Sequence, residues 1–214
     1  MTTDQMKTKP RRRWLQFSLR TMLVLMLAFG CGFGWLAYQI KQARQQREAA
    51  NVIEKLGGTI DWDPTSGGMI RTAMAWVGKL LGQDLFVDVR SVYLDNTPVT
   101  DAGLEHLRGL RQLQVLDLDN TQVTDAGLEH LRGLTQLRWL YLDNIGVTDA
   151  GVKQLRGLTQ LERLSLDDTQ VTDAGLVHLR GLTKLEWLDV SNTKVTDAGV
   201  AKLQKALPNV QIFR

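Results

Sequence analysis

Three histidines and several rows of aspartates are the residues of this 214-residue chain whose types and spacing could support chemistry. His106, His130 and His178 occupy equivalent positions, but Gln154 interrupts their row, and a zinc site needs several ligands to converge on one point. Each plausible acid recurs with a fixed period, so none has the unique surroundings that catalysis requires. We therefore predict no enzymatic activity, no metal site and no cofactor.

A repeat of 24 residues dominates the sequence. The tetrapeptide Thr-Asp-Ala-Gly begins with this strict period at Thr100, Thr124, Thr148, Thr172 and Thr196. Between the tetrapeptides, the spacing L-x-x-L-x-L recurs, as at Leu113, Leu116 and Leu118. This spacing, at a period of about 20–29 residues, is typical of leucine-rich repeats. The sequence therefore predicts an α/β fold, a leucine-rich-repeat solenoid with parallel strands on the concave face and short helices on the convex face.

Each repeat is expected to contain one strand and one short helix. Leu116 and Leu118 alternate with polar residues, so they should point into the core while their neighbours face outward. Thr124 or Asp125 can cap the helix by accepting bonds from its free N–H groups, and Gly127 should allow close backbone packing. One unit cannot bury its leucines alone, so stability is expected to come from stacked neighbours.

A threonine takes the asparagine position of the repeat in four units. These residues are Thr97, Thr121, Thr169 and Thr193. We expect their side chains to form a hydrogen-bonded row beneath the strands. Ile145 takes this position in the third unit, and we predict that the interrupted row makes that unit a local weak point.

The open strand face is the candidate binding surface. Its candidate binding residues are Tyr93, Asp117, Asp119, Trp139, Tyr141, Asp143, Arg163, Asp167, Trp187 and Asp189. Because neighbouring strands lie about 4.8 Å apart, the Arg163 guanidinium is expected between the indoles of Trp139 and Trp187. Aromatic and arginine clusters are favoured at interfaces, and the aspartates favour a basic ligand. This predicts a protein or peptide partner with positive charge. A structural role in the cell envelope and a glycan ligand are the alternatives.

The first 56 residues have a different composition. Residues 21–40 form a run of 20 uncharged residues, which spans roughly 30 Å as a helix, the thickness of a bilayer core. Residues 1–47 contain nine lysines and arginines against one aspartate, and six of the nine precede the run. The positive-inside rule then predicts a single-pass membrane protein with a cytoplasmic N-terminus and repeats on the outer, periplasmic or extracytoplasmic, side.

Other interpretations of this apolar run stay open. A cleaved signal peptide would end near Gly32 to Gly34, and a lipoprotein signal would end at Cys31. Gly30 and Gly34 form a small-xxx-small pair that would allow two anchors to pack as a homodimer. Nucleic acid is not an expected partner, because residues 86–214 contain 14 basic and 17 acidic residues and the excess of positive charge lies in the flanks of the apolar run.

The predicted organisation has five segments. They are a basic tail at 1–20, a transmembrane helix at 21–40, a helical stalk at 41–56, a small α/β cap region at 57–88, and the repeat domain at 89–214, with five 24-residue units and a truncated last strand. Within the cap, we expect a strand over Thr59–Asp63 and a helix over residues 70–81. Trp62 and Trp76 are expected in the core of the cap.

The chain resembles bacterial leucine-rich-repeat proteins with TDAGL-type units and one N-terminal transmembrane anchor. The resemblance covers residues 89–214 through the repeats and about residues 11–56 through WLQFSLRTML and the glycine-containing apolar run. It implies an interaction function without catalytic residues. The repeats are also similar to those of F-box proteins, but no F-box segment is visible in the sequence, so no ubiquitin-ligase role is implied.

Overall fold

The computed structural model describes residues 19–63 and 88–214, with side chains from Gly34 onward except those of Leu36 and Asp63. The chain divides into two units, residues 1–38 and 39–214. Among the helices of the described residues, none combines the length and the apolar run that a membrane crossing requires. The predicted basic tail, most side chains of the predicted 21–40 span, and the predicted 70–81 helix with Trp76 lie outside the described residues.

In the first unit, the described backbone is helical. It belongs to helix α1, Leu19–Lys55. The rings of Trp35 and Tyr38 are exposed.

Seven strands form one sheet in chain order. They are β1 Thr59–Asp63, β2 Asp88–Tyr93, β3 Val115–Asp117, β4 Trp139–Tyr141, β5 Arg163–Ser165, β6 Trp187–Asp189 and β7 Gln211–Phe213. Strand β1 runs antiparallel to β2, and all later pairs are parallel. The register aligns residues one repeat apart, as Leu116 with Leu140 and Leu164 with Leu188. This register confirms the predicted solenoid of parallel strands.

Short helices occupy the other side of each repeat. They are α2 Asp101–Leu104, α3 Asp125–Leu128, α4 Asp149–Val152, α5 Asp173–Leu176 and α6 Asp197–Ala206. In the first four repeats, a single α-helical turn passes into a 3-10 helix, at Glu105–Gly109, Glu129–Gly133, Lys153–Gly157 and Val177–Leu179. The leucines of these helices and those of the strands form one continuous buried core. We call the two exposed sides the strand face (β2–β7) and the helix face (α2–α6 with the 3-10 helices).

The tetrapeptide Thr-Asp-Ala-Gly joins each repeat to the next. The Thr148 hydroxyl accepts a bond from the Ala150 N–H at 3.2 Å, so threonine is the helix cap. The preceding repeat's Asp125 accepts from the Thr148 N–H at 2.8 Å and from its hydroxyl at 2.6 Å. The same pair of bonds recurs from Asp101, Asp149 and Asp173. Aspartate therefore links neighbouring repeats, a role that the sequence analysis did not assign.

The glycine of the tetrapeptide makes room for this link. A Cβ atom on Gly127 would overlap the Asp101 carboxylate, and one on Gly151 would overlap that of Asp125. The predicted close packing at Gly127 is thereby confirmed, and its cause is the carboxylate of the preceding repeat. Close backbone approach of this kind is a common reason for glycine.

The threonine row differs from the prediction. Thr97, Thr121, Thr169 and Thr193 each donate to the carbonyl oxygen three residues earlier in their own repeat, at 2.6–2.7 Å. The expected hydrogen-bonded row beneath the strands is therefore wrong, because every hydroxyl is used within its own turn. Ile145 is 6% exposed and joins the hydrophobic core. The weakness of the third unit stays a prediction.

One residue per repeat has a left-handed backbone. Asn96, Asn120, Asn144, Asp168 and Asn192 have φ between 51° and 57°. Asparagine and aspartate are the non-glycine residues that adopt this conformation most readily. The sharp turn after each strand therefore explains why an amide or a carboxylate recurs at this position.

Strand β1 is the first strand of the sheet, and the C-terminal part of α1 packs against the core at the same end. Ala49 and Ile53 are 1% and 2% exposed and belong to the core of the repeats. The Gln46 amide donates to Asp88 at 3.0 Å. Residues 41–56, expected to form a stalk, are thus part of the cap. Trp62 is 36% exposed, so its expected place in the cap core is wrong.

Candidate functional site

The strand face presents two columns of outward side chains, one residue from each strand. The first contains Ser91, Val115, Trp139, Arg163, Trp187 and Gln211. The second contains Tyr93, Asp117, Tyr141, Ser165, Asp189 and Phe213. The register therefore brings together the candidate residues on strands β2–β6 as the sequence predicted.

The aromatic residues of the first column separate into two groups. The Arg163 guanidinium carbon lies 5.2 Å from the centroid of the Trp139 ring, a cation–π contact. Trp187 packs instead against Phe213, with ring centroids 5.5 Å apart and planes tilted by 43°. The expected position of Arg163 between two indoles is therefore correct for Trp139 and wrong for Trp187. The Trp187 ring packs against Phe213 of the last strand instead.

These rings remain accessible to a ligand. Trp139 is 37% exposed, Tyr93 36% and Phe213 39%. Ser165, by contrast, is 2% exposed, which leaves a low point in the second column between Tyr141 and Asp189. Phe213 was not among the candidate binding residues, although the repeat register of the sequence already places it in the second outward column.

Two residues after each of strands β3, β4 and β5 lies an aspartate, and these aspartates are linked from one repeat to the next by hydrogen bonds. Asp119 Oδ1 accepts the N–H of Asp143 at 2.7 Å, and Asp143 Oδ1 accepts the N–H of Asp167 at 2.9 Å. The carboxylates are half-buried, and each uses one oxygen to satisfy the backbone of the next repeat. The candidate residues Asp119 and Asp143 therefore have a structural role in addition to any role in binding.

Burial makes these carboxylates hard to ionise. Desolvation raises the pKa of Asp119 to about 7, opposed by the Asp143 N–H and reinforced by the charges of Asp143, Asp117 and Asp95. Desolvation also raises the pKa of Asp117 and of Asp143. The neighbouring charges that raise these three pKa values are all carboxylates, those of Asp95, Asp117, Asp143, Asp167 and Asp189.

Chemically, the strand face combines an exposed aromatic column, one stacked arginine and a row of carboxylates that repel one another. An ammonium or guanidinium group of a ligand would be attracted by these carboxylates and could also contact the rings. Within residues 34–63 and 88–214, histidines, cysteines and carboxylates do not form a group of three suited to a metal ion. Among the described residues, the Nδ1 atom of His130 is buried and has no hydrogen-bond partner.

Comparisons with known proteins give matches to family models and to solved structures. Residues 88–145 and residues 181–203 match two family models, each described as leucine rich repeat. Among solved structures, internalin C2 from Listeria monocytogenes is similar at 25% identity, over 70% of this chain and 82% of that chain, with a TM-score of 0.43. Internalin F from the same organism is 24% identical over 57% of this chain and 39% of that chain, with a TM-score of 0.40. Among curated proteins, no sequence matches.

Within the repeat region, residues 88–145 and residues 181–203 are therefore similar to leucine-rich repeats. Domains of this kind are generally protein-interaction modules that bind through extended surfaces rather than enzymes.

Proposed function

We propose that this chain is a membrane-anchored binding module whose strand face recognises a protein or peptide segment with positive charge. The observation that carries the proposal is the exposed Trp139–Arg163 stack beside half-buried aspartates whose pKa values are raised by burial and by one another's charge. Tryptophan, tyrosine and arginine are the residues most enriched at interface hot spots.

The electrostatics favour a basic partner. Asp117, Asp119 and Asp143 repel one another in a partly desolvated row. A bound cation favours the ionised carboxylates, so it should lower their pKa values and bind more tightly as the pH rises through about 7.

A glycan is the second candidate, because sugars also stack on exposed aromatic rings such as Trp139 and Phe213. Arg163 already covers one face of the Trp139 ring, however, and this reduces the surface on which a sugar can stack. The exposure of the Trp139 ring also favours binding over a purely structural role in the envelope, since a structural stack would need no exposed ring.

The proposed anchor is residues 21–40, with the N-terminus in the cytoplasm and the repeats on the outer side of the membrane. Its support is the uncharged run and the larger number of basic residues before it than after it. Resistance of the full chain to alkaline extraction tests anchoring, and protease added outside intact cells or spheroplasts tests orientation. The mass of the mature protein distinguishes a retained anchor from cleavage or lipidation at Cys31.

The partner is tested by cross-linking the full chain in its native membranes. A Trp139→Ala, Arg163→Ala, Trp187→Ala variant is compared with a control, Thr135→Ala, Thr159→Ala, Thr183→Ala, whose exposed threonines lie outside the strands. Both variants must retain the circular dichroism and thermal unfolding of the original chain. Loss of a partner from the strand-face variant alone supports the proposal. Capture of the same proteins by all three forms contradicts it.

A further inference from the structure

The helix face has an uneven charge distribution along the repeats. An exposed arginine follows each short helix, at Arg108, Arg132, Arg156 and Arg180. In the first two repeats, a glutamate precedes it by three residues, and Arg132 lies 3.5 Å from Glu129. In the next two, that position is Lys153 and Val177. Arg156 and Arg180 form no ion pair with any residue in the described part of the chain. The C-terminal half of the helix face is therefore basic.

A small cleft lies in this half, between α5 and α6. Its volume is about 270 Å³, and its lining includes Leu176, Val177, Arg180, Lys202 and Leu203. Leu176 and Leu203 are buried and form an apolar floor, while Val177 is 48% exposed. Two cations and an exposed apolar side chain thus surround an apolar depression.

The one carboxylate of the cleft is already engaged. Asp173 accepts the N–H and the hydroxyl of Thr196, both at 2.7 Å. These two bonds hold the pKa of Asp173 below its usual value. The charge of Lys202 also lowers the pKa of Asp173, so this lysine is partly balanced by the carboxylate, whereas Arg180 forms no ion pair with the described residues.

Gly133, Gly157 and Gly181, each next to one of these arginines, have open space where a Cβ atom would lie. A Cβ atom on Gly157 or Gly181 would meet nothing within 4 Å, and neither glycine has a positive φ. Glycine in such a position usually destabilises a helix relative to alanine. Bare backbone next to Arg156 and Arg180 permits close approach of a flat external surface.

We propose that the surface formed by Lys153, Arg156, Val177, Arg180 and Lys202 binds the anionic headgroups of a phospholipid bilayer. Guanidinium groups contact phosphate oxygens in pairs, and lysine adds a point charge. Val177 and the apolar floor of the cleft suit the boundary between headgroups and acyl chains. This contact uses the helix face, so it leaves the strand face free and does not depend on the proposed partner.

The test is hydrogen exchange of the full chain mixed with vesicles of two compositions. One contains phosphatidylcholine alone, and the other contains equal parts of phosphatidylcholine and phosphatidylglycerol. We expect amides of residues 174–181 and 199–205 to be protected only with the anionic vesicles. Inorganic phosphate alone should give no protection, because the surface needs a bilayer. Flotation with the neutral vesicles reports separately on the proposed anchor at residues 21–40.

Matched variants identify the residues. In Arg156→Gln, Arg180→Gln, protection should fall about 30-fold, as expected for two basic side chains at an anionic surface. The control is Arg108→Gln, Arg132→Gln, which changes the same charge at equivalent positions beside glutamates and should leave protection unchanged. Equal exchange with both vesicles, equal loss in both variants, or full protection by inorganic phosphate would overturn the proposal, whether or not the chain floats with neutral vesicles.

Discussion

At the scale of single residues, the carboxylates of the repeat differ in their surroundings although they share its period. Asp119 lies half-buried among other acids, whereas Asp173 accepts two bonds from Thr196 at the surface. The first environment opposes ionisation and the second favours it. The pH dependence of stability should therefore have opposite signs at the two positions.

Asp119→Asn should stabilise the protein above neutral pH. The pKa of Asp119 is about 7 in the folded state and near 3.9 unfolded, so the folded chain binds more protons between these values and its stability falls as the pH rises. After allowance for solvent screening, the gain in unfolding free energy at pH 8 should be about 1 kcal/mol, and it should vanish near pH 4.

Asp173→Asn is the control of opposite sign. Because its folded pKa is depressed, Asp173 stabilises the protein above its unfolded pKa, and this contribution is lost as the pH falls through the folded value. The variant should therefore be less stable than the original chain at neutral pH. Thermal unfolding of both variants across the pH range measures the difference, and two parallel profiles would contradict the assignment.

Two glycines of one repeat should respond differently to the same substitution. Gly127→Ala places a Cβ atom against the Asp101 carboxylate and should lower the unfolding free energy by about 2 kcal/mol. Gly133→Ala meets nothing within 4 Å and should raise it by about 0.5 kcal/mol, because alanine restricts the unfolded chain. Denaturant titration gives both values, and similar losses at both positions would show that the carboxylate is not the cause.

At the scale of elements, the bonds between repeats explain why such short helices persist. A helix of one turn is unstable alone, and here each helix from α3 onward is fixed by an aspartate of the preceding repeat and by the shared core. The last helix, α6, has 10 residues, and its Asp197 contacts Arg214 instead of a threonine. The stability of each of these helices therefore depends on the helix of the preceding repeat.

Removing one of these links should be more costly than removing the last aspartate. Asp149→Ala leaves the Thr172 N–H and hydroxyl without their acceptor, and the unfolding free energy should fall by about 2 kcal/mol. Asp197→Ala removes only an exposed ion pair and should cost less than about 0.5 kcal/mol. Chemical denaturation of the two variants compares them, and equal losses would argue against coupling through the tetrapeptide.

A second prediction at this scale concerns the contribution of helix α1 to the stability of the repeats. Ile53→Ala should lower the unfolding free energy by about 3 kcal/mol, because Ile53 is buried in the core of the repeats. Glu54→Ala, on the exposed side of the same helix, should change it by less than about 0.5 kcal/mol. A stalk would tolerate both changes equally, so denaturation of the pair distinguishes the two descriptions of residues 41–56.

At the scale of the repeat domain, the two ends of the row of parallel strands have different neighbours. Strand β2 pairs with both β1 and β3, whereas β7 pairs only with β6 among the described strands. In a one-dimensional array, stability comes from contacts between neighbours. Native-state hydrogen exchange should therefore show lower opening free energies for amides of α6 and β7 than for those of β4. Uniform protection along the array would contradict this.

The sequence determined the repeat, the strand register and the outward columns, because a strict period and alternating leucines allow only one stacking that buries all the leucines. It also indicated the cap strand. It did not reveal which partner each polar group takes, since Asp125 reaches a residue of the next repeat and Thr121 a carbonyl of its own. The pairing of Trp187 with Phe213, the burial of Ile53 and the raised pKa of Asp119 follow from side-chain packing and desolvation across repeats. Only the tertiary structure decides those, because they depend on which atoms of different repeats meet.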